Sequence, residues 1–219
     1  MNAMILAAGR GERLKPITNK IPKCLVEVKG TSLLERHLRM LSRSGARRVV
    51  INLGWLGEKI VEVAGNGEKF NIEIVYSDES DKILETGGGI TKALPLLGDE
   101  PFWVINGDIY TDFELPMNSL KTGMLGHLML VPKPVYKSNG DFSLNKGRVI
   151  VSHIPKFTFG GIALYDPQIF SDKTVSRFSI VPTINALSQN KKLSGFLYDG
   201  MWEDVGTPER LGSLNQTNC

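Results

Sequence analysis

The chain is short of cysteine, histidine, net charge and long apolar runs, and each shortage removes a class of function. Its 219 residues hold two cysteines, Cys24 and Cys219, too few for a disulfide framework, and a reducing cytoplasm is the expected location. Of the three histidines, His127 and His153 have no carboxylate or cysteine at metal-ligand spacing, so neither receives a role. His37 falls within the first predicted helix and is expected at the surface or rim. The formal net charge is only +3, without the concentrated basic face that nucleic-acid binding needs. The apolar run at residues 3–8 is far too short to span a bilayer, and no basic region of a signal peptide precedes it. A soluble protein with neither nucleic-acid nor membrane partner is expected.

Hydrophobic residues make up 42% of the chain, enough for a substantial core. Short apolar runs alternate with amphipathic stretches. Residues 4–7, 49–53, 72–76 and 102–105 read as buried strands. Between them, Ser32 and Glu35 form a capping box for a helix that carries Leu34, Leu38 and Leu41 on one face and stops at Gly45. A short helix covers 58–64, and another follows Gly89 with Ile90, Ala93, Leu94 and Leu97 as apolar positions. This rhythm predicts a mostly parallel, mixed central sheet in a three-layer α/β/α sandwich. The second half reads as strands at hairpin spacing over 128–132, 141–144, 149–154 and 159–165. A helix over 181–187, strands over 196–199 and 201–205, and a last helix from Pro208 follow. One domain spans 1–219, with a nucleotide half at 1–110 and a sugar half at 111–219. Its state as monomer or homodimer stays open.

In open α/β sheets ligands bind beyond the carboxyl ends of the strands, and the chemistry-bearing motifs cluster there. Gly9-Arg-Gly-Glu-Arg13 leaves the first strand. Its glycines let backbone N–H groups approach a phosphate, and Arg13 offers a planar fork. It is neither a Walker loop, which needs Gly-Lys-Ser/Thr, nor a dinucleotide fingerprint, since Leu14 stands where a third glycine belongs. Lys23, beside Pro22, is a point charge for a triphosphate or a solvated surface lysine. Glu85-Thr-Gly-Gly-Gly89 opens a helix and is either a flat ligand platform or a tight turn. Asn106-Gly-Asp108 follows a fully apolar strand, where an aspartate can hold a hard cation. In Asp204-Val-Gly-Thr-Pro208, Thr207 caps the last helix and Asp204 has no structural task. Each motif alone has an ordinary structural explanation. Together they supply what nucleotidyl transfer needs: a held phosphate, offset charge and a stabilised leaving group.

These residues resemble the sugar-nucleotide pyrophosphorylases, a nucleotidyltransferase family with a Rossmann-like, GT-A-like fold. The similarity runs from Leu6-Ala-Ala-Gly-Arg-Gly-Glu-Arg-Leu14 through Pro22-Lys23, Glu85-Thr-Gly-Gly-Gly89 and Asn106-Gly-Asp108 to Asp204-Val-Gly-Thr207, in the family's order. The resemblance implies a magnesium-dependent reaction of a nucleoside triphosphate with a sugar 1-phosphate. It implies catalytic roles for Arg13, Lys23 and Asp108. Nucleotide contacts fall to Leu6, Ala8, Gly9, Gly11, Glu12, Arg13, Lys23, Gly87, Gly88 and Asn106. Sugar contacts fall to Glu85, Gly140, Asp141 and Gly160, and Mg²⁺ to Asp108 and Asp204. Segments such as Val50-Ile-Asn52, Trp55-Leu-Gly57 and Gly140-Asp-Phe142 are most similar to uridylyltransferases of bacterial cell-wall recycling. These imply UTP and N-acetylmuramate 1-phosphate as substrates. Pro22-Lys-Cys24 also matches guanylyltransferases acting on mannose or heptose 1-phosphate, which remain the alternative. A non-catalytic sugar-nucleotide binder would have lost one of Arg13, Lys23, Asp108 and Asp204, and all four are kept.

Overall fold

The structure, a computed structural model, describes residues 1–116 and 120–216, so Cys219 lies outside the described residues. Among the described residues, thirteen strands and five α-helices follow one another. The first half holds β1 (Asn2–Leu6), β2 (Glu27–Val28), β3 (Thr31–Ser32), α1 (Leu33–Arg43), β4 (Arg48–Leu53) and α2 (Gly57–Ala64). It continues with β5 (Glu73–Asp78), α3 (Glu85–Leu97), β6 (Phe102–Asn106) and β7 (Ile109–Thr111). The second holds β8 (Gly126–Pro132), β9 (Ser143–Asn145), β10 (Arg148–Ile150), β11 (Phe157–Tyr165), α4 (Val181–Gln189), β12 (Leu193–Leu197), β13 (Trp202–Asp204) and α5 (Pro208–Gln216).

Nine strands form one mixed sheet in the order β5-β4-β1-β6-β11-β8-β12-β10-β9. The first four run parallel, because each pair is joined through a helix. β11 then pairs antiparallel with both β6 and β8, and β8 and β12 pair parallel across α4. Alternation along β1 builds the three layers. Ala3 and Ile5 pack with Leu34, Leu38 and Leu41 of α1 and Ile60 of α2, whereas Met4 packs with Ile90 of α3 and Ile184 of α4. Those α1 leucines are fully buried, each stabilising the fold by about 1.5–3 kcal/mol. Ser32 Oγ accepts the Glu35 N–H at 3.2 Å, as the capping box requires, and Gly45 at φ 72° ends the run.

The strands expected over 141–144 and 149–154 are the shorter β9 and β10, and two expectations about the helices change. α3 begins at Glu85, not after Gly89, so the three glycines occupy its first turns. Glu85 itself sits at φ 61°, a left-handed conformation costing on the order of 1 kcal/mol in a non-glycine residue. His37 is buried, not at a rim. It lies three residues from Leu34 and four from Leu41, on the apolar stripe of α1.

Candidate active site

The strand order reverses between β1 and β6, the topological switch point at which such sheets bind ligands. There Leu6 pairs with Asn106, and the Gly107 N–H donates to Leu6 O at 2.9 Å. The two loops that leave these strands are thereby tied together. A solvent-open cleft of about 720 Å³ lies over them. Leu6, Ala8, Gly9, Lys23, Glu85, Asn106 and Asp108 all line it.

At one end stands a charged cluster. Lys23 Nζ donates to Asp108 Oδ2 and lies 3.8 Å from Asp204 Oδ1. Arg13 lies 3.9 Å from Asp204 Oδ2, and Arg210 reaches the same oxygen at 3.1 Å while donating to the Asp204 carbonyl at 3.0 Å. The aspartates come from distant parts of the chain. A two-strand ladder joins them, in which β13 pairs antiparallel with β7 in the register Asp204 to Ile109. The Val205 N–H then donates to Asp108 O at 2.9 Å. Gly206 leaves room for the cluster, since a Cβ there would lie 2.9 Å from Asp204 Oδ1 and 3.0 Å from Arg210 Nη1. Arg210 was not singled out by sequence, because nothing in the spacing of α5 shows that its first turn faces Asp204. Beside it, Glu203 has its carboxyl raised by burial, with the Tyr136 hydroxyl opposing that shift.

Asp204 Oδ1 is buried and has no hydrogen-bond partner, so one carboxylate oxygen here is left for a further positive ligand. Among the described residues, no group of three or more His, Cys, Asp and Glu side chains gathers as a closed metal cage. Two carboxylates are what the chain offers.

The other end of the cleft is built differently. Asn52 and Glu79 line it, both buried, and sequence reading missed them. Asn52 Oδ1 accepts the Ala7 N–H at 2.6 Å, its Nδ2 donates to Glu79 Oε1 at 2.7 Å, and Glu79 Oε2 accepts the Leu84 N–H at 2.9 Å. This chain of bonds fixes the end of β1 against the start of α3. Gly89 is required there, since a Cβ would lie 2.6 Å from Glu79 Oε1.

The remaining residues divide by surroundings. Gly9 has nothing within 4 Å of its missing Cβ, so no protein packing explains it, whereas Gly11 sits at φ 62° and needs its conformational freedom. Glu12 pairs with Lys15 on the exposed side, which holds its carboxyl below the ordinary value. Gly87 and Gly88 do not line the cleft. A Cβ would meet the Phe178 ring at 2.3 Å and Ser176 O at 1.9 Å respectively, so this helix turn is pressed against the 176–178 segment. Glu85 pairs with Arg177 at 2.9 Å. Asp141 lines a second cleft that opens off the first. Gly140 lies flat on β11, where a Cβ would come within 2.8 Å of Phe157 O. Gly160 is part of the irregularity where β11 shifts register on β8, and its carbonyl accepts the Trp202 indole N–H at 2.8 Å. Cys24 is buried and its thiol is pushed up to about 12 by that burial, which removes it as a nucleophile at neutral pH.

Residues 2–122 match the model of the family described as nucleotidyl transferase. The chain belongs to the nucleotidyl transferase family. This nucleotidyltransferase is 40% identical to the N-acetylmuramate alpha-1-phosphate uridylyltransferase of Neisseria meningitidis serogroup B, over 96% of its own length and 95% of the relative's. It is 31% identical to the protein of the same name from Caulobacter vibrioides, over 94% and 92%. Against the mannose-1-phosphate guanylyltransferase catalytic subunit beta of Drosophila melanogaster the identity is 29%, over 94% of this chain and 60% of that one. In fold, the nucleotidyltransferase is similar to a putative glucose-1-phosphate thymidylyltransferase from Bacillus anthracis. The TM-score is 0.87 at 21% identity, covering 100% and 97% of the two chains. HddC from Yersinia pseudotuberculosis, complexed with GMP-PN, gives 0.77 at 22%, covering 98% of each.

Proposed function

We propose that this nucleotidyltransferase transfers the uridylyl group of UTP to N-acetylmuramate α-1-phosphate, releasing pyrophosphate, with Mg²⁺ held by Asp108 and Asp204. The observation that carries this reading is the convergence of Lys23, Arg13 and the two aspartates at the switch point, one carboxylate oxygen of which lacks a hydrogen-bond partner. The donor set fits the ion, because Mg²⁺ is usually bound through one or two carboxylates, completed by water and substrate phosphates. When bound it neutralises charge that develops on the transferring phosphoryl oxygens. The choice of uridylyl and of the amino-sugar acid is supported by the two bacterial relatives, which match over nearly their whole length.

Each residue then has a task. Gly9 leaves the loop open for close approach of phosphate oxygens to the backbone. Lys23 holds the Asp108 carboxylate and turns to the phosphates when a nucleotide enters. Arg13 is mostly exposed and needs little desolvation to follow the leaving pyrophosphate. Arg210 keeps Asp204 in place from behind, through its carbonyl and carboxylate together. The Asn52–Glu79 bonds hold the far end of the cleft rigid where the base lies. The sugar phosphate oxygen attacks the α-phosphorus directly, so the protein supplies positioning and charge, not a nucleophile.

Pyrophosphate release measured with UTP, GTP, dTTP and CTP against several sugar 1-phosphates tests the reading. UTP with N-acetylmuramate 1-phosphate is expected to be fastest. Faster release with GTP and mannose or heptose 1-phosphate would replace it by the guanylyltransferase alternative.

A further inference from the structure

The second cleft carries chemistry that phosphoryl positioning does not use. It opens off the first through Leu6, Thr86 and Asn106, which line both, and it is larger, about 1190 Å³. Ile90, Phe142, Val151, Phe159, Ile180 and Ile184 make its walls apolar. Tyr165 also lines it. This residue is 1% exposed, yet its Oη has no hydrogen-bond partner. An unpaired buried hydroxyl is costly to keep, and a hydroxyl in a cleft wall gains its partner when a ligand brings one. Burial raises the phenol above its ordinary value, so it remains an O–H donor.

One cation and one anion line the cleft, Lys137 and Asp141. Lys137 Nζ lies 2.8 Å and 3.0 Å from the two oxygens of Asp141. Asp141 is already anchored. Its Oδ2 accepts the Phe159 N–H at 3.0 Å, and its own N–H donates to Phe157 O at 2.7 Å. Its carboxylate is thus engaged by β11 and by the lysine, and its effect is to fix the ammonium at the cleft wall. An ammonium has three N–H donors, and two carboxylate oxygens leave one free. The 1-phosphate of the substrate must lie at the Lys23 end, because its oxygen attacks there. An anion that meets Lys137 is therefore a second one, carried elsewhere on the sugar.

We propose that the second cleft selects sugar 1-phosphates bearing a carboxylate side chain and an N-acyl group. Lys137 takes the carboxylate and the Tyr165 hydroxyl donates to the acyl oxygen. Asp141 is a positioning residue for Lys137. The inference rests on the reaction proposed above and adds the residues that read the sugar. The apolar walls suit the methyl groups of both substituents.

The test compares kcat/KM for N-acetylmuramate 1-phosphate and N-acetylglucosamine 1-phosphate, which differ in the lactyl carboxylate and share the phosphate and the acetamido group. Where the second sugar turns over too slowly, its Ki against the first supplies the comparison. Lys137→Met is expected to lower the preference for the acidic sugar by roughly 10- to 100-fold, through KM rather than kcat. Lys137→Arg restores part of it, which a misfolded variant would not. Asp141→Asn moves the same ratio in the same direction by less. Tyr165→Phe weakens both N-acyl sugars alike and spares glucose 1-phosphate. Equal loss on both sugars in Lys137→Met would assign Lys137 to the shared phosphate and overturn the inference, as would an unchanged ratio. A wild-type enzyme that accepts only uncharged sugars would overturn the proposed reaction as well, so the two failures are told apart by the wild-type panel.

Discussion

Replacing His37 by leucine should flatten the acid side of the stability curve, and the size of the effect follows from the burial of one ring. His37 is 2% exposed, and its Nε2 has no partner to share a proton with. Desolvation lowers its pKa from 6.5 to about 4. The unfolded chain therefore takes up a proton at a higher pH than the folded one. The native contribution is fully present above pH 6.5 and is lost as pH falls toward 4. Integrated over that window, the loss is about 2 kcal/mol at pH 5 and about 3 kcal/mol at pH 4. Leucine has similar volume and leaves nothing to protonate. Urea unfolding of both proteins at pH 8, 6, 5 and 4 isolates the term, since every other titrating group cancels in the difference. The stability gap should swing by about 3 kcal/mol in favour of the variant between pH 8 and pH 4. A gap that stays flat would mean that folded His37 protonates as readily as the free side chain, and the argument from burial would be wrong. The residue also shares a surface cleft with Ile109 and Tyr110 of β7, the strand that leaves Asp108, so acid should weaken the wall behind the site first.

Five further outcomes are expected. Lys23→Met should lower kcat by about 10²- to 10³-fold, read by pyrophosphate release, with a thermal midpoint close to wild type. Asp108→Asn should abolish the response of turnover to added Mg²⁺, and chelation of the wild type by EDTA should stop turnover until Mg²⁺ is restored; turnover that ignores both would remove the metal assignment. Gly88→Ala should cost about 1–3 kcal/mol in urea unfolding because its Cβ would press on Ser176 O. Gly9→Ala, with open space around it, should change stability by less than about 0.5 kcal/mol while raising KM for the nucleotide. Cys24 should resist alkylation in the folded protein at pH 8, and Cys24→Ala should retain kcat to within about threefold, because the buried thiol has no role in the chemistry.

Much of the candidate site was legible because its parts announce themselves locally. An apolar run that stops near a glycine marks a strand end, and two such ends proved to be neighbours, the Gly107 N–H donating to the carbonyl of Leu6 at the end of β1. The capping box at Ser32 is likewise a four-residue pattern. The position of His37 was available in the helical period of α1 and was overlooked because the residue type favours surfaces. What sequence could not show are contacts that depend on tertiary approach. Arg210 reaches Asp204 only after α5 has docked, and Glu79 meets Asn52 because β5 and β4 lie side by side. Lys137 stands in a loop whose pattern is that of any solvated turn. The role proposed for it depends on Asp141 being fastened to β11.

The ladder between β7 and β13 also bears on when the enzyme can first work. Asp108 is in place once the parallel half has formed, but its counterpart belongs to the turn between β13 and α5. During synthesis the N-terminal half leaves the ribosome first and can fold early. The carboxylate pair cannot close until residue 204 has emerged and its short strand has found a partner nearly a hundred positions back. A nascent chain that stops short of Asp204 should therefore bind nucleotide poorly and spend none of it, so that pyrophosphate release waits until β13 has paired with β7. Translation arrested before and after Asp204 would show the activity appear in a single step.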